Sequence, residues 1–348
     1  MGEAGKGKPE GRKALAFTAA VIGVLAALPV SALAEEDHKE GVFSASCSYS
    51  HRAMDDPIVF PRKPGAGHMH DFIGNTSTNS RSTARSLRGS PSLCSRSADR
   101  SAYWVPTLYE NGHAIAPDSQ NFYYTTAGRD PATIKPFPLG LRFIAGNSHA
   151  TGPQPEEVVR WDCSEDKDQA LPDPTPGYFR RKARRKRTVT KLIRAIRAER
   201  VALRRSGGRR AARKHRRALA HLRAKRERLR MNPVIHGNLP LCKSGEVVSL
   251  SINFPDCWDG RRLDSRDHQA HMTFDVHRGD APFSTCPASH PVPVPDINFN
   301  LRYLTRGGPA MQLASGPEYT AHADFFDAWD PAGLAALVQG CLNAAVSC

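Results

Sequence analysis

Three stretches of the chain combine imidazole with carboxylate at spacings that suit metal or acid–base chemistry. Gly67-His68-Met69-His70-Asp71-Phe72-Ile73-Gly74-Asn75 carries two histidines two residues apart. In extended backbone such residues share one face, so a His-x-His pair is the simplest two-ligand grip on a metal ion. Asp267-His268-Gln269-Ala270-His271, preceded by Phe254-Pro255-Asp256-Cys257-Trp258-Asp259-Gly260, contributes His271 and Asp259. His322-Ala323-Asp324-Phe325-Phe326-Asp327-Ala328-Trp329-Asp330 repeats the two-residue spacing with His322 and Asp324.

His68, His70, His271 and His322 are the candidate ligands of one divalent transition metal: zinc, manganese, iron or copper, all of which accept imidazole with carboxylate. Without a metal, Asp259, Asp324 and His271 are the candidate catalytic groups, either as a His–Asp acid and base or as paired carboxylates for glycoside cleavage. Any single histidine here would serve equally well as a hydrogen-bonded structural residue under a loop; the four together point to a shared cluster. Trp104, Trp258 and Trp329 are candidate substrate-binding residues, offering flat faces to sugar rings, with core packing as the competing use. There is no Gly-x-Ser-x-Gly elbow, no His-Glu-x-x-His and no phosphate-cradling loop, which argues against an esterase, a zinc protease of that type or a nucleotide-binding enzyme.

These groups need rigid elements to hold them. Residues 103–109, 140–144, 158–161, 247–254, 270–276 and 297–304 are short runs bounded by Pro, Gly, Asn and Asp, and several alternate apolar with polar residues. Outside an arginine-rich insert, only 331–342 reads as a helix, with Asp330 as its cap and Pro331 in its first turn. The expected fold is mainly β: a β-sandwich or jelly-roll-like domain with an inserted Arg-rich α-helical hairpin and a short C-terminal helix.

The insert dominates the charge. The 348 residues carry a net +15, yet 178–231 alone holds 24 Lys and Arg against Glu199 and Glu227, a net +22. The remaining 25 basic and 32 acidic residues sum to −7. Within the insert, Val189, Leu192, Ile193, Ile196 and Leu203 follow helical spacing. Ser206-Gly207-Gly208 then breaks it, and Leu219, Leu222 and Leu229 resume it, so a coiled-coil-like hairpin with a narrow apolar seam is expected. The halves of the β-rich domain are then 35–177 and 232–348. Arg184, Arg185, Lys186, Arg187, Arg209, Arg210, Arg213, Lys214, Arg216 and Arg217 are the candidate polyanion-binding residues, with cell-wall polymer or acidic polysaccharide as partner. No aromatic residue follows Phe179 in the insert, so sequence-specific nucleic-acid reading is not expected.

Residues 1–34 read as a secretory signal: Lys6, Lys8, Arg12 and Lys13, an apolar run over 14–30, and Ala32-Leu33-Ala34 as the cleavage motif. No later apolar run approaches spanning length, so a soluble, secreted or wall-associated product is expected. In that compartment Cys47, Cys94, Cys163, Cys242, Cys257, Cys286, Cys341 and Cys348 read as four disulfides, with no Cys-x-x-Cys pair among them. Eight cysteines allow roughly a hundred pairings and the spacing chooses none.

Asp56-Pro57-Ile58-Val59, His68-Met69-His70, Tyr103-Trp104-Val105-Pro106-Thr107-Leu108-Tyr109, Lys135-Pro136-Phe137-Pro138-Leu139-Gly140-Leu141-Arg142 and Trp161-Asp162-Cys163 occur in an order that resembles the domain-of-unknown-function 1996 family. Beyond the insert the likeness resumes at 254–260, Leu263-Asp264-Ser265, Asp267-His268, His271, Cys286-Pro287, His290-Pro291 and 322–330. The resemblance implies an exported protein of the kind found in fungi and bacteria, sometimes beside wall-binding modules, and it brings no catalytic residues with it. The insert and Cys348 depart from the family pattern. Two functions follow as expectations: an extracellular carbohydrate-active hydrolase or lyase with a His/Asp cluster, or a non-catalytic protein held to anionic wall polymer by its basic hairpin.

Overall fold

The computed structural model describes residues 40–165, 177–230, 240–277 and 283–348. The expected signal segment, 1–34, lies outside them.

Two antiparallel five-stranded sheets, their strands numbered in chain order, form the body. The first runs β1 (Val42–Ser46), β7 (Ser119–Thr125), β14 (Asp296–Tyr303), β10 (Glu246–Asn253), β9 (Val159–Glu165). The second runs β2 (Tyr49–Ala53), β3 (His70–Gly74), β4 (Ala102–Pro106), β16 (His322–Phe326), β8 (Arg142–Gly146). Each sheet mixes strands from before and after the helical insert.

The alternation of side chains builds the core. Phe122, Tyr124, Leu250, Ile252 and Phe299 of the first sheet meet Ile73, Tyr103, Val105, Phe143 and Phe325 of the second in one buried cluster. Tyr103 stacks on Phe122 with ring centroids 4.0 Å apart. The fold is therefore mainly β and a sandwich in layering. The opposite face of the second sheet has its own smaller cluster, in which Phe72, Trp104, Phe326, Ala102 and Ala328 are covered by Ile58 and by Leu87 of α1 (Ala84–Arg88).

Two three-stranded ribbons complete the β structure: β15 (Met311–Leu313), β5 (Leu108–Glu110), β6 (His113–Ile115), and β12 (Met272–Thr273), β11 (Cys257–Trp258), β13 (Val292–Pro293). The run expected at 270–276 thus shrinks to two residues. The Asp267 carboxylate accepts from the amides of Gln269 and Ala270 and winds that stretch into a turn. The short α1 leaves no periodic pattern because Leu87 is its one buried residue; Thr83 caps it through the Ser86 amide.

The insert forms α2 (Gly177–Arg205) and α3 (Arg209–Arg230), joined across Ser206-Gly207-Gly208. Leu192, Ile196 and Leu219 are buried between them, and Glu199 bridges to His215 at 2.7 Å. The final helix, α4 (Pro331–Leu337), starts where Asp330 accepts from the Gly333 amide and runs on into a π turn, Val338–Leu342. All eight cysteines are paired, as Cys47–Cys94, Cys163–Cys242, Cys257–Cys286 and Cys341–Cys348. No helix among the described residues is long and apolar enough to cross a membrane.

Candidate metal centre

The outer face of the second sheet carries the site. Along β16 the period of two sends Ala323 and Phe325 into the sandwich core and leaves His322, Asp324 and Phe326 on the other side. On β3 the same rule pairs His70 with Phe72. Strand register sets Asp324 opposite Trp104 and His322 opposite Gly146. Gly146 has φ +80°, and a Cβ there would stand 2.6 Å from the Ala321 carbonyl and 3.0 Å from the His322 Cα. Only glycine lets β8 pass so close to this histidine. His68 sits two residues before His70, just ahead of the strand. The Met69 carbonyl accepts from the Thr107 amide and so keeps this approach in line with the sheet.

His68, His70 and His322 converge: one ring nitrogen of each lies within 4.8 Å of the other two. Ring centroids are 4.2 Å apart for His68–His70, 5.0 Å for His68–His322 and 6.0 Å for His70–His322. Backbone carbonyls fix two of the tautomers. His70 Nδ1–H donates to the Asp55 carbonyl at 3.0 Å, and His322 Nδ1–H donates to the Thr320 carbonyl at 2.9 Å. Each ring is thereby left with Nε2 as a bare acceptor. His70 Nε2 and His68 Nε2 are buried with no hydrogen-bond partner.

The electrostatics match. Burial, with a smaller push from His149, lowers His68 to about 4. Burial and the nearby His68 lower His322 to about 3, and His70, enclosed and flanked by both, lies well below the ordinary histidine value. At neutral pH the centre is three uncharged imidazoles with one ring nitrogen of each gathered into one small volume, and no protein donor answers the buried pair. A buried acceptor left unmet costs about 1–3 kcal/mol. A cation accepting all three lone pairs removes that cost. Carbonyl-anchored imidazoles presenting the second nitrogen are also how metal-binding histidines are oriented. Three nitrogen donors suit zinc or copper better than manganese, which favours oxygen.

Asp324 stands beside the trio with Oδ2 3.8 Å from His322 Nε2, beyond hydrogen-bond range. Both its oxygens are buried and unpartnered. Burial, then the nearby Asp56, pushes this carboxyl well above the usual range, so it holds its proton. His68 is part-exposed and is the trio's link to solvent.

Other expected site residues stand elsewhere. His271 is fully buried, but Nδ1 pairs with the Ser265 hydroxyl at 2.9 Å and Nε2 with the Arg142 carbonyl at 3.0 Å. Both ring nitrogens are thus occupied, which places it outside the converging trio. Asp259 accepts from the amides of Arg261 and Arg262 and from Arg262 Nε at 2.7 Å. Despite desolvation, those bonds hold it ionised, and it organises a turn. Trp104 and Trp329 are fully enclosed, the latter donating to the Tyr124 hydroxyl, so neither offers a face to a sugar. Trp258 remains part-exposed, its indole N–H tied to the Arg262 carbonyl at 2.7 Å.

Of the expected polyanion-binding residues, Arg210, Arg213, Lys214, Arg216 and Arg217 are exposed on α3. Arg184, Arg185, Lys186, Arg187 and Arg209 lie on the hairpin helices, with side chains outside the described residues. Sequence reasoning missed Gly146, His149 and the Asp55 and Thr320 carbonyls. A glycine in a turn and a backbone oxygen leave no pattern to read.

A family model described as a domain of unknown function (DUF1996) matches residues 56–329, a span that contains all three histidines and Asp324. No curated protein and no solved structure matches the chain.

Proposed function

The chain belongs to the DUF1996 family, and from that premise we propose that it is an exported metalloprotein, a hydrolase or lyase acting on extracellular polysaccharide, with its metal held by His68, His70 and His322. The convergence of three imidazole nitrogens within 4.8 Å, two of them buried without partners, carries this reading. Zinc and copper are the ions these donors favour. Three protein ligands leave a coordination position open, the arrangement of catalytic rather than closed structural sites. A bound ion there would supply Lewis acidity toward a water or a substrate oxygen.

The chain's own groups have separable tasks. The Asp55 and Thr320 carbonyls orient the rings of His70 and His322. Gly146 gives His322 its room. Asp324 keeps a proton on a carboxyl next to the ligands, in position to serve as the site's acid. Trp258 is the aromatic face left for a sugar ring. Export, suggested by the N-terminal pattern, agrees with four disulfides.

The test is elemental analysis of the purified secreted chain beside His68→Ala/His70→Ala. One equivalent of metal per chain, absent from a double variant that is still folded, is the expected result, and polysaccharides would then be screened with that metal present. Two folded proteins that both lack metal after zinc is offered would overturn the site. A loaded protein inert toward every polysaccharide would overturn the enzymatic half alone and leave a metal-binding protein.

A further inference from the structure

The α2–α3 hairpin is independent of the metal centre, and its surface is unusual in how little of its charge is answered. Among the described residues, none of its lysines or arginines forms an ion pair; the internal pair, Glu199 with His215, uses up one of the hairpin's two acids. Every described basic side chain is exposed, while among the described residues the buried apolar side chains of the hairpin are Leu192, Ile196 and Leu219. Such a seam holds two helices together and leaves the remaining circumference to charge.

The charge has a length scale. At about 1.5 Å per residue, α2 with its 29 residues is about 44 Å long. A net +22 over that length is about one positive charge per 2 Å, close to the one negative charge per about 1.7 Å of a nucleic-acid duplex. Polymers charged once per sugar ring, or once per polyol-phosphate repeat, are far sparser. Composition adds grip: 19 of the 24 basic residues are arginine, whose planar fork holds phosphate or carboxylate oxygens in pairs where lysine offers a point charge. The absence of aromatic residues beyond Phe179 removes base stacking.

We infer that the hairpin binds nucleic-acid duplexes through their backbone phosphates without reading sequence. A polyol-phosphate wall polymer shares the phosphodiester but not the charge spacing. Arg213, Lys214, Arg216 and Arg217, two pairs about one helical turn apart on α3, are all exposed and form its most accessible cluster.

The test uses the full-length chain with two fluorescent DNA duplexes of unrelated sequence, a glycerol-phosphate polymer and polygalacturonate, each titrated between about 50 and about 200 mM salt. Equal affinity for both duplexes is expected, with log affinity falling linearly against log salt. Arg213→Gln/Lys214→Gln/Arg216→Gln/Arg217→Gln should reduce that slope by about 3–4, at about 0.9 for each phosphate no longer neutralised, and weaken low-salt binding by at least about tenfold. The Glu versions of the same four should do more, and metal content and melting temperature should not move in either. Tight binding of the duplexes over both other polymers supports the inference. Preference for the glycerol-phosphate polymer would overturn it in favour of a wall polymer. Polygalacturonate binding as tightly as the duplexes, or a quadruple variant with an unchanged slope, would overturn it as well.

Discussion

Two histidine neighbourhoods lie in this chain, and they answer the same problem in opposite ways. Around His271, polar atoms find partners: Ser265 and the Arg142 carbonyl take the imidazole, Asp264 takes His268 at 2.9 Å, Arg262 takes Asp259, and the Ala270 carbonyl meets His290 Nε2 at 3.1 Å. Around His322, the two backbone-anchored Nδ1 atoms are satisfied, while His68 Nε2, His70 Nε2 and both Asp324 oxygens are buried and bare. A closed network contributes to folding. An open one costs stability, and such a cost persists where function requires the geometry. The two clusters look alike as strings of His and Asp; the count of unmet hydrogen bonds separates them.

The sharpest way to break this contrast is to make both neighbourhoods apolar. His70→Leu/His322→Leu should abolish metal binding yet leave the apo protein as stable as before or slightly more so, because bare acceptors are replaced by hydrocarbon of similar bulk. His271→Ala should do the reverse, costing about 2–4 kcal/mol in urea unfolding through a cavity and an orphaned Arg142 carbonyl, with metal stoichiometry unchanged. If the His70/His322 pair proves the more damaging to apo stability, the assignment of roles is inverted. Gly146→Ala should cost about 1–3 kcal/mol by forcing a side chain into φ +80° against the His322 backbone, and should also weaken metal affinity. Loss of stability with affinity intact would show that Gly146 serves the sheet alone.

A smaller effect tests what burial does to carboxylates elsewhere in the body. Burial raises Asp256 to about 6 and Asp296 to about 7, partly countered by Arg129, with Asp275 adding a third carboxyl nearby. Their folded pKa values exceed the unfolded ones, so the stability they contribute is fully present below about pH 4 and is lost as pH rises through about 6 and 7. Asp267 has the opposite sign. The Ala270 amide and the Ser265 hydroxyl hold it down at about 2, so its contribution is present above about pH 4 and is lost as pH falls toward 2. Compared with wild type, Asp296→Asn should therefore gain melting temperature as pH rises from about 5 to about 8, a comparison in which the buried neutral histidines, whose contribution has the opposite sign, cancel. Asp267→Asn should flatten the acid limb.

How much of this the sequence disclosed depends on which neighbours decide the matter. The β-rich body and the break of the hairpin at Ser206-Gly207-Gly208 were legible, because alternation and helical periodicity are local. The pairs His68/His70 and His322/Asp324 were legible too, since a spacing of two fixes a shared face once a strand is assumed. That His271 lay outside the trio was not legible, because its partners are a serine six residues away and a carbonyl on another strand. Nor was the burial of Trp104 and Trp329, which depends on the sheet face each side chain meets. The disulfide pairing, one of about a hundred, became visible only in three dimensions, including the closure of Cys348 onto Cys341.

The bond between Cys163 and Cys242 has a consequence for proteolysis. It spans the insert, whereas the other three disulfides each lie wholly on one side of it. The insert's 24 lysines and arginines are the residues that trypsin-like proteases cut after. A single nick there leaves one covalent molecule that runs intact on a non-reducing gel and separates into two chains on a reducing one. Two nicks excise the hairpin while the disulfide and the interleaved sheets hold the body together. The arginine-rich arm is thus detachable, and its loss would trim the protein from a strongly cationic form to a mildly acidic one without opening the sandwich.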